Sequence, residues 1–199
     1  MKKLPTPALR LAGTLLLAAI LPAFAGPNDE NGESLEISGF EQPLNAEWVY
    51  GSRNTRNSRS PLTAETDPQK VKEGASSGKW SDLPKNPWIT LAHCPEDWSA
   101  YTALSFWLYS ENANGQAVNL IAWSPADPVG GEKPYYLHTV HVDWHGWRHL
   151  MIPLESFQPR HQPPGWSKIA TFNLACSRMG AQPLPDSTLY FDAMRLIRR

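Results

Sequence analysis

The stretch Ala103-Leu104-Ser105-Phe106-Trp107-Leu108-Tyr109-Ser110 alternates without a break. Successive side chains of an extended chain point to opposite faces, so Leu104, Phe106 and Leu108 share one side and Ser105, Trp107 and Tyr109 the other. A strand with one wholly apolar side needs a second layer to bury it. The same period runs through 117–124, where Val118, Leu120 and Ala122 oppose Asn119, Ile121 and Trp123. Further runs at 35–40, 45–50, 88–93, 135–143, 147–154, 168–176 and 188–197 also read as strands, with turns such as Asn112-Ala113-Asn114-Gly115 and Trp144-His145-Gly146 between some of them. Proline recurs too often for helix interiors, because it lacks the backbone donor and clashes with the preceding turn. The pattern predicts an all-β chain, a two-sheet β-sandwich or jelly roll, with 147–154 the hairpin partner of 135–143. The segment 51–69 has no apolar period and reads as a long exposed loop, and 158–166 as a proline-rich one.

The first 25 of the 199 residues are of a different kind. Lys2, Lys3 and Arg10 precede the apolar run 11–21, and Ala23-Phe24-Ala25 stands before Gly26. A basic start, a short apolar middle and small residues at a cleavage point make a signal peptide, and the run falls short of the about 20 residues that span a bilayer. Residues 26–34 then form a polar, flexible leader and 35–199 a single folded domain. Without the first 25 residues the chain carries 15 Lys and Arg against 19 Asp and Glu. That balance predicts an exported protein, periplasmic or secreted, with no membrane span and no affinity for nucleic acid. In an exported chain two cysteines favour a disulfide, so Cys94 and Cys176 are candidates to pair if the ends of 88–93 and 170–175 meet.

Gly39-Phe40-Glu41, Val71-x-Glu73-Gly74-x-Ser76-Ser77, the run from Trp98 to Ser110, Gly146-Trp147-x-x-Leu150-x-Ile152-Pro153-Leu154 and Leu189-Tyr190-Phe191-Asp192-x-Met194-x-Leu196 follow one another in that order. Together they resemble the galactose-binding-like β-sandwich of many carbohydrate-binding modules. The resemblance implies binding of a polysaccharide or oligosaccharide without catalysis. It also implies a structural calcium ion where the first and last strands meet, held by Glu41, by oxygens around Glu73 and Ser76, and by Asp192. Calcium takes about six to eight oxygen ligands, which carboxylates and turn oxygens supply.

Sugars are held by flat aromatic faces with a few polar groups to read hydroxyls. Strand parity puts Trp107, Tyr109, Asn119, Trp123, His141 and Asn173 on the side away from the core, as an aromatic and amide-rich face. Exposed indoles mark contacts in general. The face therefore serves a glycan or, alternatively, docks a partner protein in a structural or assembly role; or the loops 51–69 and 125–134 cover it. Arg53, Arg56 and Arg59 are candidates to clamp acidic groups, since guanidinium forks suit such anions. His138, His141, His145 and His149 do not form a zinc set. His138 and His141 face opposite sides of a strand, and His138 with His149 gives two ligands where zinc takes about three or four. No nucleophile elbow, zinc-protease motif or phosphate loop is present. A lyase pair such as Tyr136 and His138 is the remaining enzymatic option, against the weight of the reading.

Overall fold

The computed structural model describes residues 33–50, 60–126 and 130–198. The expected signal peptide and Arg53, Arg56 and Arg59 lie outside the described residues. Twelve strands run through the described part: β1 (Ser34–Ser38), β2 (Trp48–Val49), β3 (Leu62–Glu65), β4 (Ser77–Trp80), β5 (Trp88–Leu91), β6 (Ala103–Ser110), β7 (Gln116–Trp123), β8 (Tyr135–Val142), β9 (Gly146–Pro153), β10 (Gln158–Arg160), β11 (Thr171–Ala175) and β12 (Leu189–Ile197). The single α-helix among them is the one-turn α1 (Leu44–Glu47), which takes the first half of the expected strand 45–50.

All strand pairs are antiparallel, in two six-stranded sheets. The first has the order β3-β4-β12-β6-β9, with β1 also on β12; the second is β10-β8-β7-β11-β5-β2. The two layers form the expected β-sandwich. The core lies between them, with Leu104, Phe106 and Leu108 from β6 facing Val118, Leu120, Phe172 and Leu174 in one buried cluster. Phe191 is a hub there, its ring 6.0 Å from both Phe40 and Phe106 and 6.1 Å from Trp80. A second aromatic group closes one end. Trp166, from the loop after β10, stacks on Trp98 at 5.8 Å and on Tyr136 at 4.0 Å.

Three local expectations are corrected. Strand β9 does not pair with β8: it pairs along its whole length with β6, while β8 lies on β7 and β10 in the other layer. The turn at Trp144 and His145 carries the chain across the sandwich, so His138 and His149 belong to different sheets. Part of 51–69 is strand β3, whose Leu62 is buried; four residues are too few to show a period. Likewise β10 sits in the stretch read as proline-rich loop.

The cysteines are not joined. Strands β5 and β11 are antiparallel neighbours with Ala175 opposite Trp88. Cys176 therefore lies beside Pro87, at the start of β5, and receives no approach from Cys94 beyond its far end. Leu91, the last residue of β5, is four strand positions from Pro87, about 13 Å at about 3.3 Å per residue, and Cys94 lies past the turn beyond it, whereas a bridge tolerates about 7 Å between Cα atoms. The Cys176 thiol lies 3.5 Å from the Pro87 carbonyl, and burial pushes it up to about 12.

Candidate functional site

The outer face of the second sheet is built in register. Side by side across the strands stand Trp88, Ala175, Asn119 and Thr139; then Thr90, Asn173, Ile121, Leu137 and Gln158; then Thr171, Trp123, Tyr135 and Arg160. On β5, β7 and β11 the residues that alternate with these turn into the core, as Ile89, Ala122 and Phe172 do, and so does Tyr136 on β8. Trp123 and Tyr135 are direct cross-strand partners with ring centroids 4.6 Å apart. Trp88 stands four positions along the strands from Trp123, yet their rings come within 6.4 Å. They reach toward one another across the row that holds Asn173 and Ile121, which accounts for the burial of both beneath them.

The three half-buried rings form a strip with cations at its edges. Lys133 Nζ lies 5.2 Å from the Trp123 ring and the Arg178 guanidinium 5.5 Å from that of Trp88. At the Tyr135 end His161 adds a ring at 5.6 Å, its Nδ1 held 2.6 Å from Glu132 Oε2. Beside it opens a depression of about 730 Å³, lined among others by Pro125, Glu132, Pro134, His161 and Lys168. Its size lies within the range of small-ligand sites.

Of the six residues expected on one face, this strip contains one, Trp123. Asn119 and Asn173 are its floor and have spent their amides inside the protein. Asn119 donates to the Arg178 carbonyl at 3.1 Å and accepts from the Thr139 hydroxyl at 2.7 Å, and Asn173 donates to the Thr90 hydroxyl and the Ile89 carbonyl. They fix the floor rather than read a ligand. His141 is exposed but stands six residues along β8 from Tyr135, about 20 Å away at the usual strand rise. Trp107 and Tyr109 point away from the core as expected, but from β6, on the opposite outer surface of the sandwich. Parity tells inside from outside; it does not tell which sheet.

The rings on that opposite surface are partly roofed. Lys70 Nζ sits 3.4 Å above Tyr109 and 2.8 Å from Glu111 Oε1, while Trp147 and Tyr190 meet Tyr109 edge-on at 5.5 Å. Lys72 Nζ lies 4.7 Å from the Trp107 ring, and the His149 ring lies tilted beside it at 4.7 Å while sharing a 2.8 Å hydrogen bond with Ser105. The cover comes from the turn after 51–69, not from that loop's described part.

The residues missed are Trp88, Tyr135, His161, Lys133 and Arg178. The first two carried a usable signal, since Ile89 and Tyr136 turned inward force Trp88 and Tyr135 outward. The other three reach the strip from loops, where no period exists. Of the candidate lyase pair, Tyr136 is buried against Trp166, and burial raises its phenol, while His138, held below its usual range by burial, lies 3.1 Å from the Ser156 hydroxyl.

The four expected calcium ligands do converge on one turn, 72–76, where amide hydrogens and a guanidinium engage their carboxylates. Asp192 Oδ2 accepts the amides of Lys72 at 2.7 Å and Glu73 at 3.1 Å. Glu41 Oε1 accepts the amide of Ala75 at 2.9 Å, and the Ser76 hydroxyl lies 3.0 Å from the Phe40 carbonyl and 3.3 Å from Glu41 Oε2. Gly74, at φ 68°, permits this approach, for a Cβ there would overlap the Glu41 carboxylate. Glu73 is paired with Arg195. Asp192 Oδ1 is buried and without a hydrogen-bond partner, Glu41 Oε2 has only the long contact to Ser76, and burial pushes the Asp192 carboxyl up to about 6. No group of three or more His, Cys, Asp or Glu able to hold a metal occurs among the described residues. A cage of about six to eight oxygens is not what these side chains make.

Comparison with known proteins matches residues 25–197 to the model of a carbohydrate binding domain, family 11. Among solved structures, the family 11 carbohydrate-binding module of the cellulosomal cellulase Lic26A-Cel5E of Clostridium thermocellum is 16% identical with a TM-score of 0.55, over 83% of this chain and 95% of that one. A family 11 module from Clostridium thermocellum, in complex with a β-1,3-1,4-mixed-linked tetrasaccharide, is 18% identical over 83% and 95% with a TM-score of 0.51. The family 30 module of the cellulosomal cellulase Cel9D-Cel44B of Clostridium thermocellum is 15% identical over 83% and 98%, with a TM-score of 0.52. A search of curated proteins gave no match to the chain. Among the described residues no helix is long and apolar enough to cross a membrane.

Proposed function

The chain belongs to the carbohydrate-binding domain family 11, and from that membership we propose that it acts without catalysis, docking a β-linked glucan along Trp88, Trp123 and Tyr135. The carrying observation is the strip itself: three half-buried aromatic rings, Trp123 in contact with both Trp88 and Tyr135, on a floor whose asparagine side chains are already hydrogen-bonded. Such rings offer apolar area against the C–H faces of a sugar at little conformational cost, since the ligand side is preformed. Lys133, Arg178 and His161 stand at the margins, where the hydroxyls of an extended chain pass. A mixed-linked tetrasaccharide is the ligand in the complex of the family 11 module from Clostridium thermocellum, and it is the natural probe here.

Export, to the periplasm or the medium, is part of the same proposal. It rests on the basic start, the apolar run 11–21 and the small residues before Gly26. A partner-protein role finds no support in relatives that are carbohydrate-binding modules. The test is tryptophan fluorescence during titration with mixed-linked β-1,3-1,4-glucan tetrasaccharide. A saturable change is expected from the wild-type protein and none from a W88A/W123A double variant that keeps the native melting midpoint. Equal responses from the two proteins overturn the assignment of this face.

A further inference from the structure

We propose that Arg195 takes the place of a bound cation in closing the turn 72–76, so that this chain holds its first and last strands together without calcium. The observations start on β12. Asp192 is opposite Trp107 and Arg195 opposite Ser105, so three steps on β12 match two on β6, and a bulge lies between, with Ala193 at φ 49°. The extra residue resets the alternation. Phe191 and Met194 both enter the core, and Asp192 and Arg195 both take the other side of the strand, Asp192 buried beneath the turn 72–76. Without the bulge Arg195 would point inward.

From that position the guanidinium reaches three elements. It donates to both carboxylate oxygens of Glu73 in the turn, through Nη1 at 3.0 Å and through Nη2, and Nη2 donates to Glu36 of β1 at 3.1 Å. Its side chain is 19% exposed. A planar fork that engages a carboxylate twice and a second one once does what a divalent ion does in such a place: it neutralises acids from separate strands and fixes their geometry. The other two carboxylates are neutralised differently. Glu41 and Asp192 receive the amide hydrogens of Lys72, Glu73 and Ala75, which makes the turn a nest for anions. A calcium ion placed there would face N–H groups and a guanidinium, with Asp192 Oδ1 and Glu41 Oε2 as the open carboxylate oxygens, fewer than the about six to eight it takes.

The test compares the full chain with and without millimolar calcium chloride or EDTA, by melting midpoint and by titration calorimetry. The wild-type midpoint is expected to be the same in all three solutions, with no binding heat. R195A is expected to melt roughly 5 °C lower, the loss of a largely shielded ion pair in a domain of this size. By uncovering Glu36 and Glu73 it should also gain a rise in midpoint on adding calcium. A calcium response or chelator loss in the wild type overturns the proposal. So does an R195A protein that melts like the wild type, or one that is destabilised yet indifferent to calcium, which would reduce Arg195 to an ordinary ion pair. Should R195A fail to fold, the wild-type titration still decides.

Discussion

The two outer faces of this sandwich carry similar residues and differ in what those residues still have to offer. On the first sheet Trp107 and Tyr109 have ammonium groups over their rings and aromatic edges against their flanks. On the second sheet Trp123 contacts both Trp88 and Tyr135 over buried amides, and the cations stand more than 5 Å off. A ring whose face is already taken by a lysine has less to gain from a sugar than one lying open beside a depression. Composition alone does not make a binding face; unspent partners do.

The sharpest way to break the comparison is to remove what both faces stand on. Phe191→Ala takes out the ring on which Phe40, Trp80 and Phe106 converge. It is expected to cost about 3–5 kcal/mol in denaturant unfolding and to weaken both sheets together. A loss below about 1 kcal/mol would mean that the hub is not shared. Next in size is a contrast in binding. Trp123→Ala should weaken mixed-linked glucan binding by about tenfold or more in calorimetry, as loss of a central aromatic anchor of about 2 kcal/mol does. Trp107→Ala should leave the affinity unchanged, and the reverse order would move the site to the other face.

A third variant sharpens the roofed side. Lys70→Met removes an ammonium from the Tyr109 face and strands Glu111, which, although burial pushes its carboxyl up, is held below its usual range by Lys70 and Tyr190. About 1 kcal/mol of stability should go, with glucan affinity intact. The smallest effect concerns pH. Burial holds His138 below its usual value of 6.5, so the unfolded chain takes up its proton first as pH falls. Stability attached to this group is full above 6.5 and declines below it, toward the lower folded value. The melting midpoint of H138N should therefore fall less than that of the wild type between neutral and mildly acidic buffer. Parallel curves would remove His138 from the account.

What the chain determined by itself was local and periodic. The span of β6 is set by eight residues of uninterrupted alternation, and the inward turn of Leu104, Phe106 and Leu108 follows from it, because pleating allows each side chain only two directions. Leu62 to Glu65 and Gln158 to Arg160 were too short to show that period. Which layer each strand joined was a tertiary outcome. Strands β6 and β7 are separated by one turn yet lie in opposite sheets, and β6 finds β9 across the intervening hairpin of the second sheet. The choice depends on summed packing between layers, to which no window of the sequence is sensitive. For that reason Trp107 and Trp123 share a parity without sharing a face, Trp88 meets Trp123 only in three dimensions, and Arg195 stands beside Asp192 only because a bulge adds a residue to β12.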